Sequence, residues 1–264
     1  MAASYLKYDR YAPIISAFIN SDTEWSNARL VHKFGRNLAV TSMVPVTIGG
    51  VFNTPQPAAA TTLRVKAGNT NDTSAGSGAR TIALEGLDET GALVEETLTT
   101  NGTSAGSAGS VTFTRLFRAF VATSGTYATS AAGSHAADIV IENGAGGTDW
   151  LTIDSTDYPR GQSEVAAYSV PTGETAYIMS ITTHVQSTKP ADIILFKRGG
   201  IDDSAPPYEG WREQVQFSGV DGGFSLKPAT PLGPYVAGTD LVFLAQAGTS
   251  AEVSIDFEII LTKD

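Results

Sequence analysis

The sequence contains no cysteine, which excludes disulfide bonds, thiolate metal sites and cysteine nucleophiles. Lys and Arg together number 17 against 27 Asp and Glu, so the formal net charge is -10. Nucleic-acid binding needs clustered Lys and Arg to neutralise phosphates, and we therefore expect no nucleic-acid partner. The sequence also lacks a bilayer-length apolar run and the pattern of a signal peptide. We expect no membrane partner, and synthesis in the cytoplasm.

Residues that commonly bind metals or cofactors are few or badly spaced. The three histidines, His32, His135 and His184, share neither a helical turn nor alternate strand positions, so no metal or cofactor is predicted. Paired carboxylates can bind Ca²⁺ or act as acid and base. In a chain this acidic, solvated turns are the favoured interpretation, and Ca²⁺ binding stays open. The pairs are Asp154 with Asp157, Asp202 with Asp203, and Glu95 with Glu96.

One short motif resembles the nucleophile elbow of serine hydrolases. Gly102 to Gly106 spells G-x-S-x-G around Ser104. Such an elbow needs a buried strand before the serine and a helix after it. Here "AGSAGSVTFT" follows Ser104, which predicts a loop that leads into another strand. We interpret the motif as a loop and expect no enzymatic activity. A hydrolase is kept as the least favoured of the functional hypotheses.

Short alternating runs make up most of the sequence. From residue 61 onward, segments of strand length such as "TTLRVKA", "RTIALEGL" and "ADIILFKRG" are separated by turn residues. Arg80–Leu87 and Leu93–Thr99 flank Asp88–Gly91, which predicts an antiparallel hairpin. The run Val253–Leu261 alternates to the end of the chain and predicts a long last strand. The fold class is therefore all-β.

The predicted organisation is an irregular N-terminal arm followed by tandem antiparallel β-sandwich domains of jelly-roll-like character. The arm covers residues 1–50, the first sandwich 51–160 and the second 161–264. Within the arm, "SDTEWSNARLVHKF" (residues 21–34) could form one short helix. One continuous barrel is the alternative to two sandwiches.

Three Ala/Gly/Ser-rich stretches lie between predicted strands in the first half of the chain. They are residues 73–79, 103–110 and 129–137. Because alternate connections of a meander share one end of a sheet, we expect some of these loops to pack together.

Two longer segments support a family resemblance. The hairpin "GLDETGALVEETLTTNG" (Gly86–Gly102) and the strand start "VPTGETAY" (Val170–Tyr177) resemble a set that recurs in uncharacterised virion proteins of tailed, notably marine, bacteriophages. The resemblance covers most of the chain. It implies a structural protein of the virion, such as a capsid decoration or cement protein, with a homotrimer as the oligomer.

The leading hypothesis is a virion protein that binds the major capsid protein or another virion component through its arm and a sheet edge. The alternative is a tail or fibre module that binds a receptor or carbohydrate. Aromatic residues of the arm and of one loop are the predicted partner-binding residues: Tyr5, Tyr8, Tyr11, Phe18, Trp25, Phe34, Tyr208 and Trp211.

Overall fold

The computed structural model describes residues 28–48, 52, 59–127, 133–155, 161–201, 203 and 205–264. Within these ranges the chain forms antiparallel strands and no α-helix, so the all-β prediction is confirmed. No helix in the described ranges is long and apolar enough to span a membrane.

The strand bounds follow chain order. Before residue 160 the strands are β1 (Arg29–Val40), β2 (Val44–Pro45), β3 (Thr61–Ala67), β4 (Ala79–Leu87), β5 (Leu93–Thr99), β6 (Thr112–Phe113), β7 (Arg115–Ser124), β8 (Ile139–Asn143) and β9 (Asp149–Ile153). After it they are β10 (Ala167–Ser169), β11 (Glu174–Val185), β12 (Ala191–Arg198), β13 (Arg212–Val220), β14 (Gly222–Leu226), β15 (Leu232–Tyr235), β16 (Asp240–Ala247) and β17 (Ala251–Lys263).

Two sheets, which together we call the outer unit, face each other across one apolar core. One has the order β1-β17-β11-β14, with β15 also pairing β11, and the other has the order β10-β16-β12-β13, with β2 pairing β16. Alternate residues of β17 point into the core, as their period of two predicts. The rings of Phe257 on β17 and Phe243 on β16 lie 5.0 Å apart and join the two sheets.

Two smaller sheets form what we call the inserted unit. Their orders are β6-β3-β8-β9 and β5-β4-β7. Leu63 from the first sheet and Ile82 from the second are completely buried in one shared cluster, which also contains Trp150. The inserted unit is therefore built around a second core, to which Ala167 and Val242 of the outer unit also contribute.

The two units are not consecutive along the chain. Residues 29–40 were expected in the arm, and 21–34 as a short helix, yet Arg29–Val40 forms β1 and pairs antiparallel with β17 at the other end of the chain. Alternating burial of this segment against β17 outweighs its weak helix signals. The outer unit thus takes strands that precede the inserted unit in the sequence and strands that follow it. This arrangement differs from the predicted tandem of two consecutive sandwiches.

The predicted hairpin is confirmed. Thr81 pairs with Thr99 and Leu87 with Leu93 across β4 and β5. The Asp88 carboxylate accepts hydrogen bonds from the backbone nitrogens of Thr90 and Ala92, which closes the turn. Burial acts to raise the pKa of Asp88, but a hydrogen bond from the hydroxyl of Thr90 together with these two backbone bonds outweighs it and lowers the pKa.

The small-residue loops meet around one buried carboxylate. Asp72 accepts hydrogen bonds from the backbone nitrogens of Ala79, Ala136 and Ala137. Its carbonyl oxygen also accepts a bond from the nitrogen of Gly102. The first and third Ala/Gly/Ser-rich stretches therefore pack together, in line with the expectation that some of these loops would, and the second stretch begins directly after Gly102.

A buried ion network ties the inserted unit to the outer unit. Arg115 on β7 is completely buried, and its Nε and Nη2 donate to the carboxylate of Asp240 on β16 at 2.8 and 3.0 Å. Nη2 of Arg198 donates to the same carboxylate at 2.7 Å, and the hydroxyl of Ser169 also donates to it. The relative placement of the two units depends on these bonds.

We predict that Asp240→Asn strongly destabilises the protein. Losing one member of a buried ion network leaves the two guanidinium groups without their anion, which typically costs about 3–5 kcal/mol. Urea denaturation measures the free energy of unfolding. The matched control is Asp256→Asn, which removes an exposed pair with His32 at 2.7 Å and should cost about 0–1 kcal/mol. Equal losses in the two variants would contradict the proposed role of Asp240.

Candidate interaction surfaces and the cleft between the units

Five of the eight predicted partner-binding residues lie outside the described residues. They are Tyr5, Tyr8, Tyr11, Phe18 and Trp25. Their binding role stays a prediction.

Phe34 lies on β1 instead of on an arm. Its side chain is half-buried, and its carbonyl oxygen accepts a hydrogen bond from the nitrogen of Val165 at 2.8 Å. Phe34 is thus held within the outer unit, where it lines the cleft described below.

Trp211 is an exposed aromatic residue immediately before β13. Its side chain is 40% exposed, and the guanidinium carbon of Arg198 lies 4.7 Å from its ring centroid. Arg198 is itself held by Asp240, so the indole rests on an ordered cation. Tyr208 on the same loop is half-buried. Trp211 is therefore the better placed of the two for contact with a partner.

The outer strands β13 and β14 form an open side of the outer unit. Each lies at the end of its sheet in the strand order of the described residues. Phe224 on β14 is 45% exposed, and its ring lies 5.2 Å from that of Phe217 on β13. Unpaired edges beside exposed aromatic side chains are typical of surfaces that bind another chain.

A cleft of about 510 Å³ lies between the inserted unit and the outer unit. The outer unit contributes β1 and Tyr168 of β10, and the inserted unit contributes β4, β5 and β7. Phe117 of β7 stacks on Tyr168, with ring centroids 4.6 Å apart, so this wall of the cleft joins both units. The volume falls in the range of small-molecule sites.

Lys33 is the most perturbed titratable group in the cleft. Its Nζ donates a hydrogen bond to the carbonyl oxygen of Phe117 at 2.7 Å. Burial and, to a smaller extent, the positive charge of Arg118 together lower the pKa of Lys33 to about 7, whereas Glu85 opposes the shift. The amine is thus poised to lose its proton near neutral pH.

The cleft also has an ordered polar wall, which is formed around Arg29 of β1. Nη2 of Arg29 donates to the hydroxyl of Tyr168 at 3.0 Å and to the carboxylate of Glu174 at 2.7 Å. The bond to Glu174 raises the pKa of Arg29. Burial raises the pKa of Tyr168 to about 12, so this phenol stays protonated.

The structure confirms the loop interpretation of Ser104. The residue is exposed between β5 and β6, and the next element is a strand. The three histidines lie apart: His32 on β1 pairs with Asp256, His135 is buried in a loop, and His184 is exposed on β11. Burial lowers the pKa of His135.

The acidic pairs have different environments. Asp154 is buried, with its Oδ2 3.6 Å from Nη2 of Arg36, so it is not a solvated turn residue. Glu96 accepts a hydrogen bond from the nitrogen of Ser110, while Asp157 and Asp202 lie outside the described residues. In the described part of the chain, no three His, Asp or Glu residues come together in a way that could hold a metal ion.

Sequence reasoning did not identify Lys33. The residue lies in an alternating segment, "LVHKFGRN", where a lysine on one face ordinarily points to solvent. Only the insertion of a second unit against β1 buries the amine. No local sequence signal reports that packing.

No known protein-family model matches this sequence, and no curated protein is similar to it. Among solved structures, the Yersinia pseudotuberculosis-derived mitogen aligns with 35% of this chain and 82% of its own, at 16% identity and a TM-score of 0.21. The structure of the infectious bursal disease virus Gt strain aligns over 90% of this chain and 72% of its own chain, at 10% identity and a TM-score of 0.22. The structure of the infectious bursal disease virus VP2 subviral particle aligns over 90% of this chain and 77% of its own chain, at 6% identity and a TM-score of 0.19. With TM-scores this low, neither fold nor function is transferred.

We predict that Lys33 makes stability depend on pH. Its folded-state pKa is depressed from 10.5 to about 7. Between these values the unfolded chain binds a proton that the folded chain does not, so the free energy of unfolding rises with pH, by up to roughly 1.4 kcal/mol per pH unit. Below pH 7 both states are protonated and the full cost of burial is present.

Urea denaturation at pH 6, 7, 8 and 9 measures this contribution as the difference between wild type and Lys33→Met. The variant should be the more stable protein at pH 6, and the difference should shrink as the pH rises. Parallel pH profiles for the two proteins would contradict the assignment.

Proposed function

We propose that this protein is a structural component of a tailed-bacteriophage virion, specifically a capsid decoration or cement protein that acts as a homotrimer. Its partners would be other copies of itself and the major capsid protein, and it would be located in the virion.

The observation that carries the proposal is the strand order of the outer unit. Apart from the two-residue strand β2, which pairs with β16, the outer unit has eight strand positions along the chain: β1, β10, β11, β12, β13, β14 with β15, β16 and β17. Position one pairs with eight, two with seven, three with six and four with five, all antiparallel. This nested pairing is the topology of a jelly roll, an architecture of capsid proteins as well as of lectins and cupins.

The remaining features suit an assembly subunit. The inserted unit is joined to the outer unit by the buried network around Asp240 instead of by a single flexible connection. The open side at β13 and β14 presents Phe224 and Trp211. In a symmetric oligomer such edges are covered by neighbouring copies, which also prevents uncontrolled aggregation.

One observation favours the alternative, a receptor-binding or carbohydrate-binding module of a tail or fibre. The indole of Trp211 has an exposed ring supported by Arg198, and aromatic faces of this kind stack on sugar rings. Lectins share the jelly-roll architecture. The position of the protein in the particle separates the two functions.

We predict that the chain is found on intact virions in many copies distributed over the capsid shell. Cryo-EM localisation combined with protein quantification per particle tests this. A few copies at the tail or at one vertex would instead support the receptor-binding alternative. Absence from purified particles would overturn the virion assignment.

We further predict that the segment before β1 supplies binding energy. Deleting residues 1–27 leaves β1 intact, so the fold should be retained, as judged by circular dichroism and thermal unfolding. Burying an aromatic side chain contributes about 1.5–3 kcal/mol, so losing two or more of them should weaken co-sedimentation with particles by more than ~100-fold. The control is Asp256→Asn, an exposed change on β17 that leaves the segment intact. Unchanged binding by the truncated protein would rule out an arm-based attachment.

A further inference from the structure

The cleft between the units contains a nucleophilic group that a purely structural role does not require. Lys33 and Phe117, its hydrogen-bond acceptor, both line the cleft. Lys33 is 9% exposed, so the amine is shielded from bulk water yet borders a space of about 510 Å³. Clefts of this size accept small organic molecules.

The hydrogen bonding of Lys33 leaves the amine able to react. A neutral primary amine has two N–H bonds and one lone pair. The bond to the carbonyl of Phe117 uses one N–H and holds the nitrogen in place. A carbonyl oxygen is an acceptor only, so it does not engage the lone pair.

The charges that face Lys33 favour its neutral form. Arg118 on β7 and Lys33 repel each other, while Glu85 on β4 only partly offsets this. Nη1 of Arg118 lies 3.6 Å from Oε1 of Glu85, so the two charges neutralise each other in part. The remaining titratable groups of the cleft are Arg29 and His32 on β1, Glu95 on β5 and Tyr168 on β10.

We propose that this cleft is a capture site for small aldehydes, in which Nζ of Lys33 forms an imine with the carbonyl carbon of the ligand. Desolvated lysines of this kind are the usual Schiff-base nucleophiles of proteins. The inference is independent of the virion assignment, because it concerns only the chemistry of the cleft.

The reaction balances without an added oxidant or reductant. The lone pair of Nζ attacks the aldehyde carbon, and the C=O π electrons move to oxygen, which takes up a proton to give a carbinolamine. Loss of that oxygen as water forms the C=N bond, and the two amine protons end in the water molecule. When the imine is protonated, its N–H can keep the hydrogen bond to the carbonyl of Phe117.

Trapping with sodium borohydride tests the proposal on the full-length protein. The reagent reduces the imine to a stable secondary amine, and peptide mass mapping then identifies the labelled lysines. Pyridoxal 5′-phosphate and propanal are the two probes, and they differ in size and charge. Lys66, exposed on β3, is the internal reference within the same sample.

At pH 7 we expect Lys33 to be labelled before Lys66 by at least one probe. About half of an amine with a pKa near 7 is neutral at that pH, against roughly 1 in 10³ for an ordinary lysine. Labelling of Lys33 should therefore follow a pH profile with a midpoint near 7. Lys33→Met should lose this early label, and Lys66→Met should retain it.

The comparison of Lys33 with Lys66 is made by peptide mass mapping of the wild-type protein. The test therefore stays decisive even if a variant folds poorly. Labelling by propanal but not by pyridoxal 5′-phosphate supports the site and limits its ligands to small aldehydes. If both probes label Lys66 as early as Lys33, or if Lys33 labels only above pH 9, the proposal is wrong.

Discussion

The carboxylate of Asp240 is the interaction on which the arrangement of the two units depends. It accepts hydrogen bonds from side chains of β7, β10 and β12, and Arg115 of β7 belongs to the inserted unit. One anion serves two buried guanidinium groups, so removing it would leave both uncompensated in a medium of low dielectric. Such a network specifies a single docking of the two units, because any other placement would bury unpaired charge.

The connections between the units are closely packed on the side of β1. The backbone nitrogen of Ala166 donates to the carbonyl of Val46, so the segments that enter and leave the inserted unit run side by side. Both pass over Gly35, where a Cβ would collide with the backbone of Ala166. Arg36 adds a hydrogen bond to Glu164 at 2.7 Å. The inserted unit is thereby held both at its connections and, through Asp240, at its face.

Local patterns predicted the strands better than their assembly. The β4–β5 hairpin follows from alternation and the turn chemistry of Asp88, and β17 follows from its period of two. The membership of β1 in the outer unit could not be predicted, because its partner is β17, more than two hundred residues away. The strand β9 has little periodic signal, because it consists of only five residues beside a Gly-rich turn. Arg115 and Asp240 have no local pattern, since their burial results from docking alone.

The candidate surfaces differ in how far sequence could indicate them. An aromatic residue beside turn residues, such as Trp211, is visible in the sequence, and the structure exposes it. Lys33 is invisible in the sequence because its environment is made by Phe117 and Arg118 from a different unit. Burial of this amine costs stability at neutral pH, and an apolar side chain of similar length would avoid that cost. Stability therefore does not account for a lysine at this position, whereas the proposed imine chemistry does, because the nitrogen is held at a fixed point and shielded from bulk water beside a space of about 510 Å³.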